Sequence, residues 1–180
     1  MRAVAQTEDV IASVDEEQLD EPTPCAEFDV RTLLGHLVSV IRRVDVVGSG
    51  GSAFDVPPVA ADVTDDAWLT AFQRARAAME ETWSDEAVLD QVLVLPFGEM
   101  PGRAALDGYS MEFTAHGWDL AKAVGAVDRL DPQLAEAVLP KAHRMLAAEG
   151  REQLPFDPVV EVPAGAGPYD QLVGWMGRQP

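Results

Sequence analysis

The chain has 180 residues and a mass of 19.4 kDa, which is the size of one ordinary domain. Its 31 acidic residues outnumber its 13 basic residues and leave a formal net charge of −18. This charge repels nucleic-acid phosphates and anionic lipid headgroups, so we expect no nucleic-acid or membrane partner. The hydrophobic fraction of 47% is enough for a folded core, and we expect residues 1–180 to form a single domain.

The features that mark export or membrane insertion are missing from the sequence. Cys25 is the only cysteine, so no internal disulfide can form and no oxidising compartment is needed for folding. The N-terminal segment carries acidic residues where a signal peptide needs an apolar run. No stretch of about 18 apolar residues occurs elsewhere. We therefore predict a cytoplasmic protein.

Two helices are predicted in the first third of the chain. The first runs from about Val4 to Val14 and ends at an acidic, proline-bearing loop over residues 20–28. The second follows Asp29 as its N-cap and continues to about Val47. Its apolar stripe has helical spacing and comprises Val30, Leu33, Leu34, Leu37, Ile41 and Val44. The glycine- and proline-rich residues 48–62 then predict a long connection, which permits a crossover.

The rest of the chain predicts further helices around one extended excursion. A stripe of Trp68, Phe72, Ala75, Met79 and Trp83 predicts a third helix that faces the second. Residues 88–102 are β-rich and then turn-rich, which indicates a short hairpin. A fourth helix is expected from Arg103 to Val124, with Gly125 at its C-terminal end. These elements predict an all-α four-helix bundle.

Two further segments follow the bundle. Asp131 and Pro132 are typical of a helix start, and Pro140 is expected to kink or divide that fifth helix. The remaining tail, residues 150–180, is rich in Gly and Pro and is expected to pack on the bundle. It contains a possible short helix from Asp170 to Met176.

The fourth helix carries ionisable residues on a face that should be buried. At 100° per residue, Phe113 lies about 60° to one side of His116, whereas Glu112 lies about 40° and Asp119 about 60° to the other side. Glu112 and His116 are one turn apart, so their side chains can converge on one point. A buried carboxylate needs a cation, a metal ion or a hydrogen-bond network.

His36 on the second helix completes a candidate metal site. It lies about 60° from Leu33, beside the apolar stripe, and can point inward. Two imidazoles and one carboxylate form a three-ligand site with an open position, for which Zn²⁺ is the first choice and Ni, Fe or Co also fit. Three alternatives stay open: these side chains pair only with each other, His36 is an ordinary core histidine, or His143 replaces it.

The other candidate residues have simpler interpretations. Asp119 is interpreted as an acceptor for a ligating imidazole or as a salt-bridge partner, and not as a ligand. Cys25 has no histidine or basic residue close by in the sequence, which favours a packed or half-exposed thiol over a catalytic one. The Gly-rich residues 48–52 lack the features of a phosphate loop.

Three segments resemble a known family. TPCAEFDVRTLLGHLV, EFTAHGWDLAKAVG and DQLVGWMGRQP are similar to the DinB-like proteins grouped with the N-terminal domain of mycothiol-dependent maleylpyruvate isomerase. The resemblance covers nearly the whole chain in the same order. It implies a four-helix bundle with a divalent metal held by His36, Glu112 and His116. The family more often has Gly-Trp at the positions of Glu27 and Phe28.

The resemblance also implies a chemistry. The metal would accept a small-molecule thiol of the mycothiol type as co-substrate, and the thiolate would attack an electrophilic substrate in a transfer or an isomerisation. Beyond the bundle only a short tail follows, so the isomerase's substrate-binding groups are not carried over. The alternatives are a non-catalytic metal- or ligand-binding bundle and a hydrolase that uses metal-activated water. A homodimer is compatible with the sequence.

Overall fold

A computed structural model describes residues 1–96, 98–152, 154 and 156–180. It consists of seven α-helices and one two-stranded hairpin in this described part, which agrees with the predicted all-α class. The helices are α1 (Arg2–Ile11), α2 (Val30–Gly48), α3 (Trp68–Thr82), α4 (Ala87–Asp90), α5 (Gly102–Val124), α6 (Pro132–Met145) and α7 (Pro168–Trp175). The strands are β1 (Val92–Leu95) and β2 (Gly98–Pro101).

Helix α2 is a central element of the bundle and packs against both α3 and α5. It begins where the sequence predicts, because the Asp29 side chain accepts a 2.8 Å hydrogen bond from the backbone N–H of Thr32. All six residues of its predicted apolar stripe are buried. The α3 stripe faces α2 as expected, and the Trp83 indole donates to the backbone carbonyl of Val44 at 2.9 Å.

Helix α1 packs on α5, which carries the predicted charged residues. The Thr7 hydroxyl donates to the Phe113 carbonyl at 3.0 Å and ties the two helices together. The predicted bounds of α1 were displaced: it begins at Arg2 and ends at Ile11, because the backbone N–H groups of Ser13 and Val14 bond three residues back in turns. Helix α5 ends as predicted, with Gly125 in the left-handed conformation at φ 73°.

The predicted excursion at 88–102 is an antiparallel hairpin preceded by the short helix α4, which the sequence analysis did not anticipate. The strands pair from Val92 with Pro101 to Leu95 with Gly98. Leu93 and Leu95 are buried while the alternating Val92 and Val94 are exposed, so one face covers the core. Phe97, which also falls in the predicted excursion, lies outside the described residues.

Helix α6 runs without a break through Pro140, so Pro140 does not divide it, whereas the predicted kink stays a prediction. The ring removes the hydrogen bond to the carbonyl of Glu136, four residues earlier. Both residues are exposed, so that carbonyl can bond water.

The tail is held to the bundle by side chains that donate to backbone carbonyls. Arg151 is buried and donates to Ala147 at 2.6 Å and to Trp175 at 2.7 Å. The Trp175 indole in turn donates to Leu146 at 3.2 Å. Helix α7 therefore packs on α6. It begins two residues before the predicted start and ends one residue before the predicted end. The tail residues Gln153 and Pro155 lie outside the described residues.

None of the described helices is both long enough and apolar enough to cross a bilayer.

The Asp29 cap gives a test of what positions α2. Replacing Asp29 with Ala should lower the free energy of unfolding by about 1 kcal/mol, because the N–H of Thr32 loses its acceptor. Hydrogen bonds from Thr32 lower the pKa of Asp29. The carboxylate's contribution is therefore full above the unfolded-state pKa of about 3.9 and is lost as the pH falls through the lower folded value. Urea unfolding at pH 7 and pH 3 measures both.

Asp29→Asn is the matched control, since asparagine is an equally good N-cap. It should retain most of the stability at pH 7. An Asn variant as unstable as the Ala variant would contradict the capping role.

Candidate metal centre

His36 is placed by a close approach between α2 and the long connection that follows it. Gly35 has no side chain, and a Cβ there would lie 2.7 Å from the Val59 side chain. The connection can therefore run against α2, where the N–H of Ala60 bonds the Gly35 carbonyl at 3.0 Å. The neighbouring Pro58 carbonyl then lies 3.1 Å from Nδ1 of His36. Glycine followed by histidine in LLGHLV thus anchors the imidazole.

The structure brings His36, Glu112 and His116 together at the interface of α2 and α5. Oε1 of Glu112 lies 3.0 Å from Nε2 of His36 and 3.6 Å from Nε2 of His116. The two imidazole rings are 4.9 Å apart between centroids. The one-turn separation of Glu112 and His116 on α5 produces this convergence, as the helical geometry predicts. That the three residues bind a metal stays a prediction.

The Glu112 carboxylate is held in its ionised form. Burial opposes ionisation, but the nearby His116 and a hydrogen bond with His36 outweigh it and lower the pKa of Glu112 to about 2. The side chain keeps 29% of its surface exposed, so the site opens to solvent on one side. A persistent negative charge with one open side is what a cation site requires.

The hydrogen bonds of the two histidines suit a metal ligand set. Nδ1 of His36 faces the Pro58 carbonyl, which can only accept, so this nitrogen carries a proton. Nδ1 of His116 faces the Asp119 carboxylate at 3.0 Å and has the same requirement. Nε2 of each ring faces Glu112. A proton on Nε2 favours the ionised carboxylate, and a divalent ion that displaced these protons would be bound by both Nε2 atoms and the carboxylate. The residues present therefore fit a divalent ion.

Asp119 is fully buried and contacts two positive or hydrogen-bonding groups. Besides His116, its two oxygens accept from Arg178, at 3.3 Å from Nε and 3.1 Å from Nη2. Burial alone would lower the pKa of Arg178, but the charge of Asp119 and its hydrogen bonds raise it. Both interpretations from the sequence thus apply, since Asp119 is an imidazole acceptor and a salt-bridge partner. The sequence analysis missed Arg178, which lies 59 residues away with no spacing signal.

Cys25 lies closer to the site than its sequence neighbours suggest. It is half-buried, as expected, but its Sγ lies within 4.8 Å of the ligand-type atoms of both His116 and Asp119. Burial raises the pKa of the thiol, and the charge of Arg178 partly opposes this rise. The absence of basic residues nearby in the sequence was therefore no guide to the folded surroundings.

One aromatic ring borders the site, and the third histidine of the chain lies elsewhere. The Phe28 ring lies 5.2 Å from the His36 ring and 6.3 Å from the His116 ring, so it covers one side of the site. His143 is exposed on α6 and packs against Trp175 at 4.2 Å between ring centroids. The alternative in which His143 replaces His36 was therefore wrong, because the face of α6 that carries it points away from the bundle interior.

A known protein family matches the first two thirds of the chain. The family model described as the mycothiol maleylpyruvate isomerase N-terminal domain matches residues 1–121. The chain belongs to this family. The match confirms the DinB-like fold, a fold associated with metal binding, and it spans His36, Glu112, His116 and Asp119. Arg178 lies beyond the matched region.

Relatives extend the similarity over almost the whole chain. Two proteins described as uncharacterized, from two strains of Mycobacterium tuberculosis, are each 29% identical over 170 residues. These alignments cover 94% of this chain and 90% of each relative. No solved structure matches the chain.

The ion pair between Asp119 and Arg178 gives a second prediction. Arg178→Gln should lower the free energy of unfolding by about 3 kcal/mol, because it leaves a buried carboxylate without its cation. The double variant Asp119→Asn with Arg178→Gln should be more stable than the single variant, since neither position then carries a charge. Urea unfolding of all variants in the presence of a chelator measures this.

Arg129→Gln is the control, because Arg129 is exposed, and it should change stability by less than about 0.5 kcal/mol. If the double variant were no more stable than Arg178→Gln, the charge pairing would not be the cause.

Proposed function

We propose that this protein binds one divalent metal ion through His36, Glu112 and His116 and uses it to activate a low-molecular-weight thiol for transfer to an electrophile. The observation that carries the proposal is the convergence of three donor atoms from α2 and α5 with both distal imidazole nitrogens already bonded. Zn²⁺ suits two nitrogens and one oxygen best, and Ni, Fe or Co are compatible with the same donors.

The family supplies the second support. Its described member acts with mycothiol, so a thiol of that type is the first co-substrate to consider. A divalent ion at such a site stabilises a thiolate at neutral pH. The chain's own thiol, Cys25, has a raised pKa and is a poorer nucleophile at neutral pH than an activated external thiol. We therefore assign the nucleophile to a second molecule.

The protein's residues would hold the reacting groups in place. His36 and His116 present Nε2 while Pro58 and Asp119 retain the protons on Nδ1, which keeps each ring in one orientation. Arg178 pairs with Asp119 and holds its carboxylate in position. Phe28 shields one side of the two rings from water. The open side of Glu112 leaves room for the thiol and the electrophile.

The reaction class balances without an oxidant. In a conjugate addition the thiol sulfur bonds to the carbon β to a carbonyl, and the thiol proton ends on the α carbon. Reversal after bond rotation gives an isomerase, whereas displacement of a leaving group gives a transferase. Both outcomes belong to the proposal, and the choice depends on the electrophile.

Metal analysis tests the ligand set. Protein purified without a tag should contain about one divalent ion per chain, and His36→Ala, Glu112→Ala and His116→Ala should each lose most of it, because each removes one of three donors. Elemental mass spectrometry after zinc loading and dialysis measures the content.

His143→Ala is the matched control and should keep the wild-type content, since His143 packs on Trp175 outside the site. Unchanged metal in both Glu112→Ala and His116→Ala would reject the site. It would also favour the alternative in which the three side chains pair only with each other.

A thiol-transfer assay tests the chemistry. Zinc-loaded protein should accelerate addition of mycothiol to a panel of enones and alkyl halides, and a chelator should abolish the acceleration until zinc is restored. We expect Glu112→Ala to lower the rate about a hundredfold, in line with loss of the metal. Product formation followed by chromatography measures it.

The outcomes separate the three function classes. Product release that depends on metal but not on thiol would identify a hydrolase and overturn the thiol proposal. Metal binding without turnover of any electrophile with any thiol would identify a binding module.

A further inference from the structure

A cavity of about 520 Å³ adjoins the candidate metal centre at Glu112. It is formed by α2, α5, the hairpin, the C-terminal end of α6 and the start of the tail. Its volume lies within the range of roughly 300–1,000 Å³ found for small-molecule sites. Of the three candidate ligands, only Glu112 lines the cavity. The hydrogen-bonded pair of Asp119 and Arg178 lies outside it.

The cavity is elongated along α5. Its lining residues on this helix extend from Ala104 to Glu112, which is about 12 Å at 1.5 Å per residue. Apolar side chains from the surrounding elements form most of the wall, among them Val40, Met100, Met111, Leu146 and Phe156. Methionine side chains adapt to irregular apolar ligands. The shape and wall favour a molecule with an extended apolar body.

The cavity wall includes a cation without a carboxylate partner. Arg43 lines the cavity and donates to the backbone carbonyls of Ala53, Val56 and Pro57. Among the described residues no carboxylate lies within ion-pair distance of it. The Pro57 carbonyl precedes the Pro58 carbonyl that contacts His36, so Arg43 and His36 bond to consecutive residues of the connection between α2 and α3.

The second arginine of the cavity, Arg144, is mostly exposed to solvent and shares one carboxylate with a lysine. Arg144 lies 3.7 Å from Asp107, whose carboxylate also accepts Lys141 at 2.7 Å. Among the described lining residues, Arg43 is therefore the arginine that has no carboxylate within ion-pair distance. A guanidinium without a carboxylate partner on an apolar wall is a group that an anionic ligand can pair with.

From these observations we infer that the cavity binds the electrophilic substrate, and that this substrate is an elongated apolar molecule with one carboxylate or equivalent anionic group. The anionic group faces Arg43, and the apolar body extends along α5 toward Ala104. The assignment as substrate rests on the proposed thiol chemistry, whereas binding of such a molecule depends only on the cavity.

Calorimetry with three probes tests the inference on chelator-treated and zinc-loaded protein. Decanoate has both the apolar body and the charge, decanol lacks the charge, and maleate lacks the apolar body. Decanoate should bind at least about tenfold more tightly than either of the others, because both features contribute. The preference should persist without metal, since Arg43 and the apolar wall belong to the protein.

Matched variants locate the binding. Arg43→Gln should weaken decanoate about tenfold and leave decanol unchanged, whereas Arg74→Gln on the exposed face of α3 should affect neither. Ala104→Leu should weaken both by filling the cavity, whereas Ala78→Leu at an exposed α3 position should not. The alanine pair keeps the test valid if Arg43→Gln fails to fold.

Three results would overturn the inference: equal binding of decanol and decanoate, equal binding of maleate and decanoate, or decanoate binding that requires zinc and is insensitive to Arg43→Gln. The last would place the carboxylate on the metal. Failure of the proposed function is distinct, because it appears as absent metal or absent thiol transfer while decanoate still binds.

Discussion

A single carboxylate between two imidazoles organises this molecule. Glu112 would be costly to bury alone, and the facing nitrogens of His36 and His116 are the groups that make its position tenable. Because these residues come from α2 and α5, the site forms only when those two helices pack in this register. A shift of either helix by one residue would separate the donors.

The surrounding structure maintains that arrangement from both sides. On the α2 side, Gly35 admits the connection that brings the Pro58 carbonyl to His36. On the α5 side, Asp119 orients His116 and is itself held by Arg178 from the end of the tail. The tail is thereby part of the site's support, although it lies outside the region that the family model matches.

The acidic residues of the chain have different surroundings in the folded structure. Most acidic residues are exposed and interchangeable in their effect, whereas Glu112 and Asp119 lie among cationic or hydrogen-bonding partners. Arg43 is the complementary case, a cation bonded to neutral carbonyls beside an apolar cavity. The net charge of the chain therefore does not describe the charge around each individual side chain.

The sequence by itself determined the longer helices apart from their exact limits, the hairpin and the proximity of Glu112 to His116, because these depend on local periodicity and on contacts one turn apart. It also indicated His36 through its place beside the α2 stripe. Only the tertiary structure decided the continuity of α6, the nearness of Cys25 and Phe28 to the histidines, and the pairing of Arg178 with Asp119. Those features join residues that are distant in sequence, and no local pattern records which distant surfaces pack together.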